Sequence, residues 1–197
     1  MKFYTFCKKF LNGFFSALFK IEVKGAENVP GGVPLLVCSN HLSNWDPVLL
    51  GVAFDRQIRF MAKKELFKIP LLSSLIKLFG AFPVNRGSAD PSAIKTAIGL
   101  LKENECVGLF PQGTRFPKQD PKNTEIKNGA GMILYRSHSD AIPVSIKTKN
   151  YKIIPFRKVF ISIGKPISYD ELGFEHGTQA EYTQASKLIF DRITDLL

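Results

Sequence analysis

Short runs that are apolar at almost every position alternate along this chain with longer stretches in which apolar residues recur every three or four places. Residues 34–39 read Pro-Leu-Leu-Val-Cys-Ser and are entered from a Gly31-Gly32 turn. A run without polar alternation is what a strand covered on both faces requires. After it, Asp46 followed by Pro47 marks a helix start, with a carboxylate at the cap and a ring that already fixes φ in the first turn. Residues 58–62 predict a second strand. Residues 65–79 carry a helical pattern rich in Leu, Ile and Phe and edged by Lys63, Lys64, Lys68 and Lys77, which Pro70 has to break or restart. This helix has an apolar surplus that suits either ordinary core or a greasy surface and tunnel for an apolar ligand. Further strands are expected over residues 82–84, 106–110, 141–146 and 158–163. Helices are expected over 89–103, starting near Pro91, and over 181–197. Strands and helices in this order predict an α/β fold, a single domain with a central mixed, partly parallel sheet flanked by helices. With 197 residues and no internal repeat, low-complexity tract or linker, the chain has room for one domain with a sizeable core.

The first 20 residues read differently and are set apart as a segment preceding a domain over residues 21–197. Phe3, Phe6, Phe10, Phe14 and Leu18 step by three or four and share one helical face, Lys2, Lys8, Lys9 and Lys20 flank it, and no acidic residue intervenes. An N-terminal amphipathic helical segment of this kind is expected to lie in a membrane interface. The alternative is a helix packed on its own domain. No run approaches the ~20 apolar residues of a spanning helix, and the segment lacks the small-residue cleavage site of a removed signal peptide.

Net charge sharpens the picture. At +10, with a pI near 9.6, the surface seeks an anionic partner. The basic residues form no arginine-rich tail with interleaved aromatics and no nucleic-acid motif, so membrane surfaces and phosphorylated ligands lead over nucleic acid. An edge formed by Arg56, Arg59, Lys63, Lys64 and Lys68 would suit an acidic carrier protein. Cys7, Cys38 and Cys106 are few and widely spaced, as expected of reduced packing residues rather than of a disulfide or zinc framework. A thiol at Cys38, inside an apolar strand, would be a blunted nucleophile.

The candidate chemistry lies directly after the first central strand, in Asn40-His41-Leu42-Ser43-Asn44-Trp45-Asp46. An imidazole accepts a proton from a hydroxyl near neutral pH, and a carboxylate on its other nitrogen fixes the tautomer and stabilises the imidazolium. His41 and Asp46 are the candidate base and its orienting acid. Ser43 reads as a capping residue, no Gly-x-Ser-x-Gly elbow is present, and His138 and His176 stand without metal-ligand spacing, so neither a metal nor a cofactor is expected.

Three more blocks follow in order: Phe82-Pro83-Val84-Asn85-Arg86-Gly87, Phe110-Pro111-Gln112-Gly113-Thr114-Arg115 and Ile142-Pro143-Val144. Together with the His41 to Asp46 block, and over about residues 21–167, they make the sequence resemble the glycerolipid acyltransferases, most closely the bacterial 1-acylglycerol-3-phosphate acyltransferases. The resemblance implies transfer of an acyl group from a thioester of coenzyme A or acyl carrier protein to the sn-2 hydroxyl of lysophosphatidic acid, giving phosphatidic acid. It implies that Arg86 binds the head-group phosphate. Arg115 is read as a second phosphate ligand and Lys127, ahead of the Asn128-Gly129-Ala130-Gly131 turn, as a third. Asn85, Gly113 and Thr114 complete the expected substrate-binding set. One position departs from the family, which usually has glutamate where this chain has Gln112. Glutamine keeps the hydrogen-bonding reach without the charge, and Gln112 is expected to hold a substrate hydroxyl. The departure keeps another acceptor open, such as glycerol 3-phosphate or a different lysolipid, and a non-catalytic lipid-binding protein is the alternative of another class. Because the lipids named live in the bilayer, a peripheral or monotopic position on the cytoplasmic face of the cell membrane is expected.

Overall fold

Every residue of the second strand is buried, and its side chains alternate between two cores. Leu35 and Val37 face a cluster with Leu49, Leu50 and Phe54, whereas Leu36 and Cys38 face one with Ala97, Ile133, Leu134 and Ile189. The unbroken apolar run therefore has the physical meaning expected of it, since a strand between two helical layers has no solvent side. The structure, a computed structural model, describes residues 13–84 and 91–197.

The strands are β1 (Ile21–Lys24), β2 (Leu35–Ser39), β3 (Ile58–Lys63), β4 (Phe82–Val84), β5 (Cys106–Leu109), β6 (Asp140–Thr148) and β7 (Val159–Ile163). They form one seven-stranded sheet in the order β1-β7-β6-β2-β5-β3-β4. All neighbours pair in parallel except β6 and β7, which are antiparallel. The sheet is thus mixed and mostly parallel, with α2 (Asp46–Ala53), α3 (Pro70–Leu78), α4 (Pro91–Lys102), α5 (Gly129–Ser137) and α6 (Gln179–Asp195) around it. Pro70 restarts a helix after a 3-10 segment over Lys64–Lys68, and α4 begins at Pro91. The side chains of Leu71, Leu72, Leu75 and Leu78 lie outside the description, so the two uses of that apolar surplus are not separated.

One element differs from the sequence expectation. β1 was not anticipated: its four residues gain strand character by pairing with β7, Ile21 opposite Val159, across more than a hundred residues of chain. The first segment is described from residue 13, and α1 is helical over residues 13–19. Within α1, Phe15 and Phe19 are buried on the domain and pack against Trp45 at 5.8 and 5.6 Å, while Phe14 is 54% exposed. The described end of the segment therefore packs on its own domain. The helical face expected further upstream, from Phe3 to Phe10, lies outside the described residues.

A single glycine makes room for the aromatic layer that leads to the site. Gly108 on β5 stands opposite Phe60 on β3, and a Cβ at this position would lie 2.2 Å from the Phe60 ring. Phe60 in turn stacks on Phe110 at 6.0 Å. Gly108→Ala is expected to cost about 1–3 kcal/mol through overpacking, lowering the melting temperature by about 2–4 °C per kcal/mol in a chain of this size. Thermal unfolding followed by circular dichroism checks this, and an unchanged melting temperature would mean that the Phe60 ring turns aside freely.

Candidate active site

β2 and β5 run parallel at the centre of the sheet, so the segments that leave their carboxyl ends emerge side by side. This is where open α/β sheets gather their ligands. The segment after β2 begins with Asn40, whose side chain reaches across to β6. Its Nδ2 donates to the Ile146 carbonyl at 2.9 Å, and its Oδ1 accepts from the Ile146 amide at 2.8 Å. The side chain reproduces a backbone pairing where the strand has ended, and so fixes the direction in which the chain leaves the sheet.

His41 is held at every side but one. Its Nδ1 lies 2.7 Å from Asp46 Oδ2, its amide donates to Gln112 Oε1 at 2.6 Å, and its carbonyl accepts from the Phe116 amide at 2.9 Å. The Phe110 ring stacks on the imidazole with centroids 3.9 Å apart and planes 11° from parallel. Nε2 has no hydrogen-bond partner among the described residues. With a carboxylate at Nδ1 the ring proton belongs on that nitrogen, which leaves the Nε2 lone pair to accept a proton.

Asp46 is fully buried and gathers three donors on one oxygen: the His41 ring, the Leu42 amide at 2.6 Å and the Ser43 amide at 2.8 Å. Its Oδ1 has no hydrogen-bond partner among the described residues. Burial pushes the carboxyl above its ordinary pKa; the His41 hydrogen bond and charge, then the Ser43 and Leu42 amides, pull against that rise without cancelling it. The result is a carboxylate of raised basicity in a water-poor setting, a strong acceptor for the Nδ1 proton. Asp46 also opens α2, so the same carboxyl that orients the imidazole closes the turn from residue 42 to the helix.

Gln112 has a task within the fold that was not expected of it. It is 2% exposed and both ends of its amide are engaged within the fold. An amide N–H can only donate, so the atom facing His41 must be the carbonyl oxygen; Nε2 then donates to Thr124 Oγ1 at 2.6 Å. The Thr124 hydroxyl passes its own proton to the Pro121 carbonyl at 2.7 Å. Gln112 is therefore a positioning residue for the His41 backbone, and its amide keeps a second N–H and a second lone pair beyond these two bonds. A glutamate could accept from the same amide if the Thr124 hydroxyl turned its proton toward the second carboxylate oxygen. Pro121 would still accept from the Thr124 amide at 3.1 Å.

The remaining candidates lie nearer the surface. A cleft of about 460 Å³ is lined by Ser43, Asn44, Trp45, Thr114, Arg115 and Lys152 among others. His41 and Asp46 are not among its walls; it lies against the outer side of the loop that carries them. Arg115 is exposed there and its Nη1 donates to Asn44 Oδ1 at 2.8 Å. Gly113 adopts φ +68°, and the Lys127 side chain lies over it, with Nζ 3.4 Å from where a Cβ would stand. The Lys127 amide also donates to the Pro111 carbonyl at 2.8 Å. The third sequence block thus brings Gln112, Gly113, Thr114, Arg115 and Lys127 beside the His41 loop. Asn85 and Arg86 follow the end of β4 and lie outside the described residues.

Other expectations sort themselves by partner. Cys38 and Cys106 are free and buried, and burial pushes both thiols up, Cys106 to about 11, so neither is a nucleophile. The Ser43 hydroxyl accepts from the Trp45 amide at 3.3 Å, in a capping role. In the basic edge, Arg56 donates to the carbonyls of Pro30 and Asn104, Arg59 pairs with Glu105 at 3.0 Å and Lys63 with Glu65 at 3.7 Å. Most of the cations assigned to an acidic carrier have partners within the fold. Sequence reasoning missed Asn40, Thr124 and the ring of Phe110. Asn40 and Phe110 each stand at the head of a block already singled out, whereas Thr124 left no local trace.

The latch gives a direct test. Gln112→Leu would leave the buried His41 amide unpaired, which costs about 1–3 kcal/mol, and is expected to lower turnover far more than it raises KM. Gln112→Glu should retain most of both stability and turnover. Steady-state kinetics and thermal melts of the two variants check this; equal losses in both would mean that the amide nitrogen, rather than the oxygen on the His41 amide, is what matters.

The family model described as Acyltransferase matches residues 20–147. The 1-acyl-sn-glycerol-3-phosphate acyltransferase of Bacillus subtilis is 36% identical over 168 residues, 83% of this chain and 82% of that protein. The protein of the same name from Streptococcus pneumoniae is 31% identical over 70% of this chain, which spans 51% of its length. Among solved structures, the 1-acyl-sn-glycerophosphate acyltransferase PlsC of Thermotoga maritima superimposes with a TM-score of 0.74 at 28% identity, covering 99% of this chain and 81% of that one. Matched by the family model over residues 20–147 and by a relative 36% identical over 83% of its length, the chain belongs to the Acyltransferase family.

Proposed function

We propose that this chain transfers a fatty acyl group from an acyl thioester to the sn-2 hydroxyl of lysophosphatidic acid, forming phosphatidic acid, and that it works at the surface of the cell membrane facing the cytoplasm. The observation that carries the reading is the His41–Asp46 pair, with Nδ1 on a buried carboxylate at 2.7 Å. The names of the relatives at 36% and 31% identity supply the acceptor.

The chemistry follows from the pair. His41 Nε2 takes the proton of the acceptor hydroxyl while Asp46 holds the imidazolium that forms. The hydroxyl oxygen attacks the thioester carbonyl, the tetrahedral intermediate collapses with cleavage of the C–S bond, and the departing thiolate takes the proton back from His41. The acyl group moves directly to the acceptor, and no enzyme nucleophile is needed. Arg86 and Arg115 are assigned to the phosphate, for which a guanidinium fork is suited, and Lys127 with the Gly113 and Thr114 backbone adds positive potential beside it. The donor is a thioester of coenzyme A or of acyl carrier protein. The amphipathic first segment is assigned to the membrane interface.

The test is thiol release by purified protein given lysophosphatidic acid and either donor, with the lipid product identified. Release is expected to require the acceptor, and His41→Ala should lower it by roughly 10²–10⁴-fold without unfolding the protein. Release without acceptor would identify a thioesterase. Turnover of glycerol 3-phosphate or another lysolipid in preference would reassign the acceptor, and lipid binding without turnover would leave a binding protein.

A further inference from the structure

The turn between β6 and β7, residues 149–158, is built with unusual backbone for an ordinary connection. Asn150, Tyr151 and Phe156 have φ of +57°, +50° and +66°, in the left-handed region where bulky side chains are genuine outliers. The turn is nonetheless tied down. Its neck is closed by the Thr148 hydroxyl, which lies 3.4 and 3.2 Å from the Lys152 and Lys158 carbonyls, and the Tyr151 hydroxyl donates to Asp120 at 2.9 Å. The Phe156 amide donates to the Leu18 carbonyl at 2.5 Å, fixing the turn to the end of α1. What these restraints hold outward is an aromatic ring: Phe156 is 71% exposed, the most exposed of the large apolar side chains described. Phe14 on α1 and Trp45 on the catalytic loop, 54% and 41% exposed, are joined to it through the Phe15 and Phe19 rings and the Leu18 carbonyl.

The charges on and beside the turn that lack a side-chain partner among the described residues are all positive. Lys20, Lys149, Lys152 and Arg157 make no ion pair among the described residues, whereas Lys158 pairs with Glu22. Asp120, the carboxylate against the turn, accepts from Tyr151. Lys152 and Ile153 also wall the cleft that Trp45 and Arg115 line. We propose that residues 149–158, with Phe156 at their tip, are a second membrane-docking element beside the cleft, and that their partner is an anionic lipid surface. An aromatic held outward among uncompensated cations matches hydrocarbon beneath a layer of phosphates. An acidic carrier protein would answer the cations but offers nothing specific to a lone ring on a narrow turn. The proposal rests on the reading of the chain as an enzyme of bilayer lipids. It adds that the cleft mouth is held against the bilayer by the fold itself and not by the first segment alone.

The chain's single tryptophan is Trp45, so its emission reports docking at this face without a label. The full chain is titrated with vesicles of phosphatidylglycerol and phosphatidylcholine, without substrate, beside vesicles of phosphatidylcholine alone. A blue shift of Trp45 emission and its quenching by brominated acyl chains are expected with the anionic vesicles, weakening as salt is raised. Phe156→Asn removes the ring while asparagine tolerates the left-handed backbone. It should weaken partitioning about tenfold, leave the melting temperature unchanged, and leave turnover of a short-chain, water-soluble lysolipid at the wild-type rate. Partitioning insensitive to Phe156→Asn would overturn the proposal, as would a Trp45 shift produced by an acidic carrier protein and not by vesicles. Because docking is read without substrate, an inactive chain that docks through Phe156 would refute the proposed reaction and leave the docking element standing.

Discussion

One carboxylate oxygen organises the centre of this protein. Asp46 Oδ2 receives the His41 ring and the amides of Leu42 and Ser43, so the histidine, the loop and the first turn of α2 share a single acceptor. Burial raises the cost of charge on Asp46 and makes each of those hydrogen bonds stronger for the same reason. Removing the carboxyl would leave three donors without a partner where water has little access, so the orientation of the base and the shape of its loop cannot be lost separately.

The other restraints on His41 come from far along the chain and meet it from the neighbouring strand ends. The sheet order puts β5 on one side of β2 and β6 on the other. From β5 come the Phe110 ring and the Gln112 carbonyl; from β6 comes the backbone that Asn40 grips. Parallel pairing matters here because it sends β2, β5 and β6 out of the sheet at the same end. A base with its backbone amide, carbonyl and ring all engaged pays little reorganisation on accepting a proton, which is the condition under which a modest base acts well.

The exchange of glutamate for glutamine at position 112 is intelligible in these terms. The atom that His41 needs is an oxygen facing its amide, and both side chains present one. The difference falls on the far side, where Gln112 donates to Thr124 and a carboxylate would accept from it. The change redirects one hydroxyl proton and leaves the His41–Asp46 pair intact. The positive charges are divided in a similar way between those engaged in the fold, such as Arg56 and Arg59, and those left open around the cleft and the β6–β7 turn.

The sequence by itself determined the features whose cause is local. The apolar run of β2, the Asp46-Pro47 helix start, the restart at Pro70 and the spacing of His41 and Asp46 all follow from residues within a few places of one another, where periodicity and backbone preference act directly. It also marked the third block as part of the site. Only the tertiary structure decided what these residues do to one another. Gln112 meets His41 across 71 positions and Asn40 meets Ile146 across 106, and no local pattern records such a meeting. β1 became a strand because β7 offered it an edge, and Arg56 and Arg59, half-buried, took partners within the fold because carbonyls and a carboxylate from other elements came within reach. A hydrogen bond depends on distance and direction in space, and the chain order fixes neither until the sheet has formed.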